Sequence, residues 1–457
     1  MTSSAFAATP AWSRTRLRET VAFALAVLML LTYSEAWVNP LIGDRVDEQS
    51  SALVRDLYFP AYAAGLFLIA LSPLESLLGL ARQPFLAAIL VIAGASTLWS
   101  VAPDQTLRRE VALVFTTVSG VVIGVRWRWP TLLEVVATAF AVLAVVSLVV
   151  GAFLPSVGRM PDLFPGAWRG LWAEKNTFAG MMVFAFLAFV AAARFRPQRA
   201  WLWWSMAALA IFLIVMSTSK TSLVALVLGM GAFGFVLLAR TGGPIAVVAV
   251  YVGVVGAAGL GAAIALDPDV FLNLLGKDAT LTGRTKIWSA VIRLIHERPL
   301  LGYGYAAAWS DDGPRGVLNR IVKLVGYKPE HAHNGWLEQW LGLGLVGLIA
   351  WSLLWLSTLV RSVWSVFTRR GALFAFPFFV VYSLMILTES IAVVYNDLRW
   401  VLFVIVATRL AVPERAPASD HVRVEPSAVE PERQVAQRQR QAFGEAQRSK
   451  HRTPQAL

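Results

Sequence analysis

The sequence contains no cysteine. That excludes disulfides, thiolate-held metals and a cysteine nucleophile, and it places no redox constraint on where the chain resides. Charge is also scarce. Only 15% of the 457 residues are Asp, Glu, Lys or Arg, and only five are histidine. Acids are scarcer than bases, 28 against 40, which leaves a net charge of +12. What abounds is apolar surface: 57% of residues are hydrophobic and the mean hydropathy is +0.62. A soluble chain of this length cannot bury so much, so its solvent is mostly lipid. In a soluble protein the basic excess would suggest nucleic acid. Here it reads as arginines on cytoplasmic loops facing anionic lipid, and no nucleic-acid partner is expected.

Apolar runs approaching the ~20 residues needed to cross a bilayer lie at about 19–37, 57–72, 83–99, 109–125, 131–153, 175–193, 200–217, 221–239, 243–266, 334–360, 372–391 and 396–411. The expected fold is an all-α polytopic membrane protein of about twelve spans. Arg14, Arg16 and Arg18 before the run Val21 to Leu31, with Ser34-Glu35-Ala36 after it, also fit a signal peptide. An uncleaved first span is the reading adopted, because many spans follow. Arg82, Arg126/Arg128, Arg194/Arg196/Arg199, Arg240 and Arg361/Arg369/Arg370 fall on alternate loops. The positive-inside rule then places both termini in the cytoplasm, with Arg55 and Arg108/Arg109 as minor exceptions. The chain divides into an N-terminus (1–18), nine spans (19–266), a large extracytoplasmic loop (267–333), three more spans (334–411) and a polar tail (412–457). That tail is expected to be a disordered cytoplasmic extension. No internal repeat suggests a two-half transporter.

The large loop contains "LTGRTKIWSAVIRLIHERPLLGYGY". Thr282 is a plausible N-cap, and Ile287, Val291, Leu294 and Ile295 recur at helical spacing. Pro299 and Gly302-Tyr303-Gly304 end this amphipathic helix. Arg284 falls in its first turn, where a guanidinium beside free N–H groups suits phosphate oxygens. The plainer reading is a surface arginine on an interfacial helix. The loop closes on "PEHAHNGWLEQW". His333 is expected in the first turn of the next span, where the helix dipole disfavours an imidazolium. A neutral imidazole there is a competent general base. Asn334 follows, with Glu338 on nearly the same face. The alternatives are a histidine merely capping a helix, or His331-x-His333 as half of a metal site that lacks further ligands of fixed spacing.

Other polar groups lie at span ends. They are Lys175-Asn176, then Ser217, Ser219 and Lys220, then Glu389, Asn396, Asp397 and Arg399. Snorkelling explains each singly. Their shared extracytoplasmic side argues for one polar cavity under the loop, since ionisable groups at membrane depth are expensive unless paired or functional.

At these residues the chain resembles the O-antigen ligase and polymerase family of bacterial envelope glycosyltransferases. The matching pieces run in order: "WSVAPDQTLRR", "GLWAEKNTFAG", "STSKTSL", "GRTKIWSAVIRLIHERPLLGYGY", "HAHNGWLEQWLGLGLVGL" and "LTESIAVVYNDLRW". The succinoglycan-type exopolysaccharide polymerases are the nearest branch. The resemblance implies a twelve-span, GT-C-like fold in the bacterial inner membrane, with its active site on the periplasmic face. It implies an undecaprenyl-diphosphate-linked oligosaccharide donor, a glycan acceptor and transfer without metal or cofactor, alongside a flippase and a chain-length regulator. It makes Arg284 and His333 catalytic and matches Lys175 and Lys220 to cationic positions on neighbouring spans; with these two lysines, Asn176, Ser219, Trp288, Asn334 and Glu389 are expected to bind substrate. Lys220 stands where an arginine is expected; it keeps the charge but not the bidentate fork. Polymerisation of repeat units is the favoured activity. Ligation to lipid A core or protein needs the same chemistry. A transporter would place its polar groups near the midplane, and a passive scaffold would leave the charges without a role.

Overall fold

A computed structural model describes residues 11–43, 48–161, 164–266, 283–310, 313 and 316–413. Among the described residues the chain is helical, without strands beyond an isolated antiparallel bridge between Arg159 and Trp168. It separates into two units, Met1–Val412 and Pro413–Leu457. The expected tail lies outside the described residues from position 414 onward. So do Thr282 and the rest of the segment 267–282.

Among the described residues, six helices are long and apolar enough to cross a membrane: Ala52–Leu71, Trp129–Phe153, Lys175–Phe195, Pro197–Met216, Lys220–Ala239 and Gly335–Thr368. Counting Pro73–Ala81 with Pro84–Leu98, which meet at 87°, gives seven. Three of the runs that fall short do so for visible reasons. The stretch 109–125 belongs to a longer helix, Pro103–Arg126, whose opening turns carry Asp104, Arg108, Arg109 and Glu110. The last two expected spans contract to Ala372–Met385 and Leu398–Ala411, because residues 386–397 leave the helix. Each has 14 residues, about 21 Å of rise.

The helix Lys175–Phe195 is the packing centre. It is buried along most of its length and touches the helices at 129–153, 200–216, 220–239 and 372–385. Leu398–Ala411 is nearly as buried and lies on Pro103–Arg126. Small residues permit that approach: a Cβ on Gly124 would stand 2.9 Å from the Ile405 carbonyl oxygen. A chain of rings, Phe184–Phe378–Tyr382–Phe403–Trp400–Trp351–Trp336, fills the space between, with successive centroids 4.9–6.1 Å apart. Such pairs add roughly 0.5–1.5 kcal/mol each beyond their burial.

Two interruptions position the loop. The first is the irregular segment 386–397. Irregular backbone among apolar helices persists only where protein satisfies its polar groups. Gly335 N donates to Ile386 O at 2.8 Å and Asn334 Nδ2 to Leu387 O at 3.5 Å. Arg284 Nη1 reaches Thr388 O at 2.5 Å. The Tyr382 hydroxyl, Gln339 Nε2 and the Tyr305 hydroxyl serve Ile391 O, Ala392 O and Val393 O at 2.8–2.9 Å.

The second interruption is Gly344, at φ 65° inside Gly335–Thr368. The break frees the carbonyls of Leu341 and Gly342, which accept Tyr303 N at 3.0 Å and Gly304 N at 2.8 Å. In return Leu345 N and Val346 N donate to Pro299 O and Leu300 O at 2.8 and 3.3 Å. The turn that ends the loop helix is thereby stitched into the broken membrane helix. A Cβ at Gly344 would collide with the Leu300 carbonyl, and the positive φ would strain it further. Gly344→Ala is therefore expected to lose about 1–3 kcal/mol. Gly231→Ala, where a Cβ meets nothing within 4 Å, should be neutral or stabilising. Thermal unfolding of the two variants in detergent checks this, and equal melting temperatures would refute the stitch.

Candidate functional site

The loop helix runs from Arg284 to Glu297 and follows Gly283, at φ 68°. The described N-cap position is thus a glycine without a side chain, not the expected threonine. Ile287, Val291, Leu294 and Ile295 are buried as their spacing predicts, packing on Val317, Ile321 and Val325 of the helix Val317–Val325. That face turns Arg284 inward, where it is 7% exposed, so it is not a surface arginine. One turn later Trp288 Nε1 donates to Ala332 O at 2.9 Å, pinning the segment between the two histidines.

His333 is not in the first turn of the following helix. Asn334 is the N-cap: its Oδ1 accepts from Trp336 N at 3.0 Å and Leu337 N at 3.1 Å. Asparagine competes strongly for that position, which leaves His333 just outside at φ 51°. Nor does Glu338 join it. That carboxylate accepts from Ala332 N at 3.0 Å, Ser390 Oγ at 3.1 Å and Trp309 Nε1, bracing the loop instead.

Arg284, His333 and Glu389 meet directly. Arg284 Nη2 donates to Glu389 Oε1 at 3.1 Å, and His333 Nδ1 lies 3.2 Å from Glu389 Oε2. Arg284 Nη2 also approaches His333 Nδ1 at 3.3 Å. A guanidinium only donates and a carboxylate only accepts, so both cannot be satisfied by one Nδ1. The consistent assignment has Nδ1–H donating to Glu389, with Arg284 alongside. Nε2 then carries the lone pair. His331 packs against His333 with ring centroids 4.0 Å apart, and its Nδ1 accepts the His333 backbone N–H at 3.2 Å. Burial, and then the neighbouring imidazole, push its pKa down to about 3, so it stays neutral.

The fold supplies a third ligand that sequence spacing does not reveal: one ligand atom from each of His331, His333 and Glu389 lies within 4.8 Å of the others. Arg284 weighs against a dication there. Its fixed positive charge already pairs with the one carboxylate of the set.

The other expected residues reach the site unequally. Asn176 lines a narrow cleft with Thr177, Ser222, Thr388, Glu389 and Arg399. Ser219 donates to Asn176 Oδ1 at 2.9 Å. Lys175 is buried, with Nζ 3.1 Å from Thr218 Oγ1 and over the Phe164 ring. Lys220 is exposed at the start of its helix and makes no ion pair among the described residues. Asn396 turns away to the Tyr62 hydroxyl and Thr116.

Two residues join the site beyond those assigned a catalytic or substrate-binding role. Arg399 enters the cleft with Nε and Nη2 held by Asp397. Its place one residue before the end of "YNDLRW" marked it as a charge at a break, among those expected in the polar cavity. Glu174 stands close enough to feel Glu389, His333 and Arg284; burial and then the Glu389 charge raise its pKa. The one sequence signal was its place directly before Lys175.

Comparison with known proteins finds two matches. The O-antigen ligase family model matches residues 205–352, a stretch that contains Ser219, Lys220, Arg284, Trp288, His333 and Asn334. The chain is similar to the O-antigen ligase and polymerase family of membrane proteins, on its exopolysaccharide side. It is 27% identical over 285 residues to the exopolysaccharide production protein ExoQ of Rhizobium meliloti (strain 1021), a match covering 57% of this chain and 61% of that relative.

His331 gives the site a pH signature. Its folded pKa lies below the ordinary 6.5. Above that value it is neutral in both states and contributes nothing. As pH falls below it, the unfolded chain binds a proton that the folded chain refuses, so stability drops by about 1 kcal/mol per pH unit. The wild-type melting temperature should fall more between pH 7 and pH 5 than that of His331→Gln. Parallel pH dependences would show that His331 is not held neutral.

Proposed function

We propose that this protein is a glycosyltransferase of the bacterial inner membrane. In this reading it polymerises undecaprenyl-diphosphate-linked oligosaccharide repeat units at the periplasmic face without a metal. The observation that carries the reading is the hydrogen-bonded set of Arg284, Glu389 and His333 beside one polar cleft.

The chemistry follows from the groups present. A glycosyl diphosphate brings a good leaving group. The bond from the anomeric carbon to the diphosphate oxygen breaks, and its electron pair goes to the diphosphate. Arg284, with Arg399 in the cleft, stabilises that growing charge. The acceptor hydroxyl oxygen forms the new bond to the anomeric carbon and gives its proton to His333 Nε2. Glu389 fixes the tautomer and balances the imidazolium that results, so its role is to position rather than to bind sugar. Trp288 and Asn334 hold the loop and the helix start. Asn176 and Ser219 supply polar contacts, and Lys175 and Lys220 supply positive charge toward the lipid diphosphate.

This reading includes twelve spans in a GT-C-like arrangement, a flippase and a chain-length regulator as partners, and both termini in the cytoplasm. Fusions of a compartment reporter after Gly276 and after Val412 test the topology. Periplasmic activity is expected at the first and cytoplasmic at the second, and the reverse would overturn it. A ligase that hands the finished glycan to lipid A core or protein is the second reading, favoured by the description of the matching family.

Reconstituted transfer from a purified lipid-linked repeat unit decides between them. A ladder formed from that substrate alone supports polymerase, and product only on adding lipid A core supports ligase. Arg284→Ala should lower the rate by about 10²–10³-fold, and Arg284→Lys should rescue poorly. His333→Ala should stop transfer while leaving donor binding nearly intact. Chelation should change nothing; activity lost to EDTA and restored by zinc would move His331, His333 and Glu389 to a metal site.

A further inference from the structure

The helix Gly335–Thr368 has a second polar feature, far along the chain from its histidine end. A cleft of about 600 Å³ runs between its last turns and the end of Leu398–Ala411. The walls are apolar: Val363, Trp364, Phe367 and Leu410 line it, and Trp364 and Phe367 are 68% and 56% exposed. Arg361 and Arg369 also line it, and no carboxylate does. Each arginine is anchored by backbone. Arg361 Nη2 donates to Arg82 O at 3.3 Å, and Arg369 Nη1 donates to Leu410 O at 2.9 Å and Val412 O at 3.2 Å. Neither makes an ion pair among the described residues, so most of their N–H donors keep their charge uncompensated.

Depth gives the cleft its meaning. From the break at Gly344 to Arg361 the helix rises about 26 Å at 1.5 Å per residue. Measured from the broken end of this span, that is close to the ~30 Å of hydrocarbon. Arg361 therefore comes level with the opposite headgroups, and Trp364 and Phe367 fall at the interface that aromatic side chains favour. Two anchored guanidiniums at phosphate depth, above an apolar trough, match one phosphate with its acyl chains.

We propose that this cleft binds an anionic phospholipid, its phosphate held between Arg361 and Arg369 beside Trp364 and Phe367, and its chains running along Leu359 and Val360 into the hydrocarbon. The proposal is independent of the glycosyl-transfer reading, because none of these residues touches that cleft.

Native mass spectrometry of the full-length protein in detergent tests it, titrating phosphatidylglycerol against phosphatidylcholine with the same acyl chains. The wild type should retain phosphatidylglycerol with a preference on the order of tenfold or more. Arg361→Ala with Arg369→Ala should bring that preference near one. Arg361→Lys with Arg369→Lys should keep most of it, and so guards against misfolding. Arg194→Ala, an exposed arginine elsewhere, should leave it unchanged. Equal retention of the two lipids, or a preference that survives the double alanine change, would overturn the proposal. A dimer mass abolished by Trp364→Ala would assign the cleft to a second copy. Lipid binding that emerges only when residues 414–457 are removed would assign it to the tail.

Discussion

The carbonyl oxygens of residues 386–393 govern the architecture around the site. They lie on backbone that has left the helix between two short apolar helices, where unsatisfied polar groups are expensive. Six of them are met by donors from elsewhere in the chain: Arg284, Asn334, Gly335, Gln339, Tyr305 and Tyr382. Those donors belong to the loop helix, the turn after it, the start of the broken helix and the helix before the segment. One requirement of backbone solvation therefore gathers four separate pieces of chain. The side chain between the satisfied carbonyls, Glu389, is delivered to a fixed place.

Arg284 serves two ends through this arrangement. One nitrogen satisfies Thr388 O, and the other meets Glu389. Lysine would carry the charge but not the planar fork that spans both acceptors. A loss of activity in Arg284→Lys thus has a structural as well as an electrostatic part, and the melting temperature separates them. The stitch at Gly344 matters for the same reason. It fixes the end of the loop helix to the broken helix ten residues below Asn334. The guanidinium is then placed relative to the imidazole from both ends of the loop helix.

Much of this was legible in sequence, and the misses share a cause. The burial of Ile287, Val291, Leu294 and Ile295 followed from spacing, and so did the place of Arg284 at the opening of that amphipathic helix. The start of the histidine helix was placed too early because Asn334 outcompetes its neighbour as a cap. A shared cavity under the loop was expected, but the direct contact of Glu389 with Arg284 and His333 was not. It joins positions 105 and 56 residues apart, and no local rule predicts which side chains of a cavity meet. The shortening of 372–391 and 396–411 had a local sign in the Thr-Glu-Ser and Asn-Asp clusters. Hydropathy averaged over a window passes through such clusters without noticing them.

The two arginines of the site are paired before any ligand arrives. Arg284 rests on Glu389 and Arg399 on Asp397, each pair in contact. A guanidinium held by a carboxylate loses less freedom when a second anion binds than one free to swing. Under the proposed reaction the diphosphate would meet cations already aimed, with Arg399 Nη1 outside the bonds to Asp397 and still able to donate. The carboxylates also set a limit. They dilute the positive field, so substrate would be held less tightly than by bare arginines. The negative charge that grows as the glycosyl bond breaks then gains more from the same groups than the resting diphosphate does. That difference between ground state and transition state is the part of binding that accelerates a reaction.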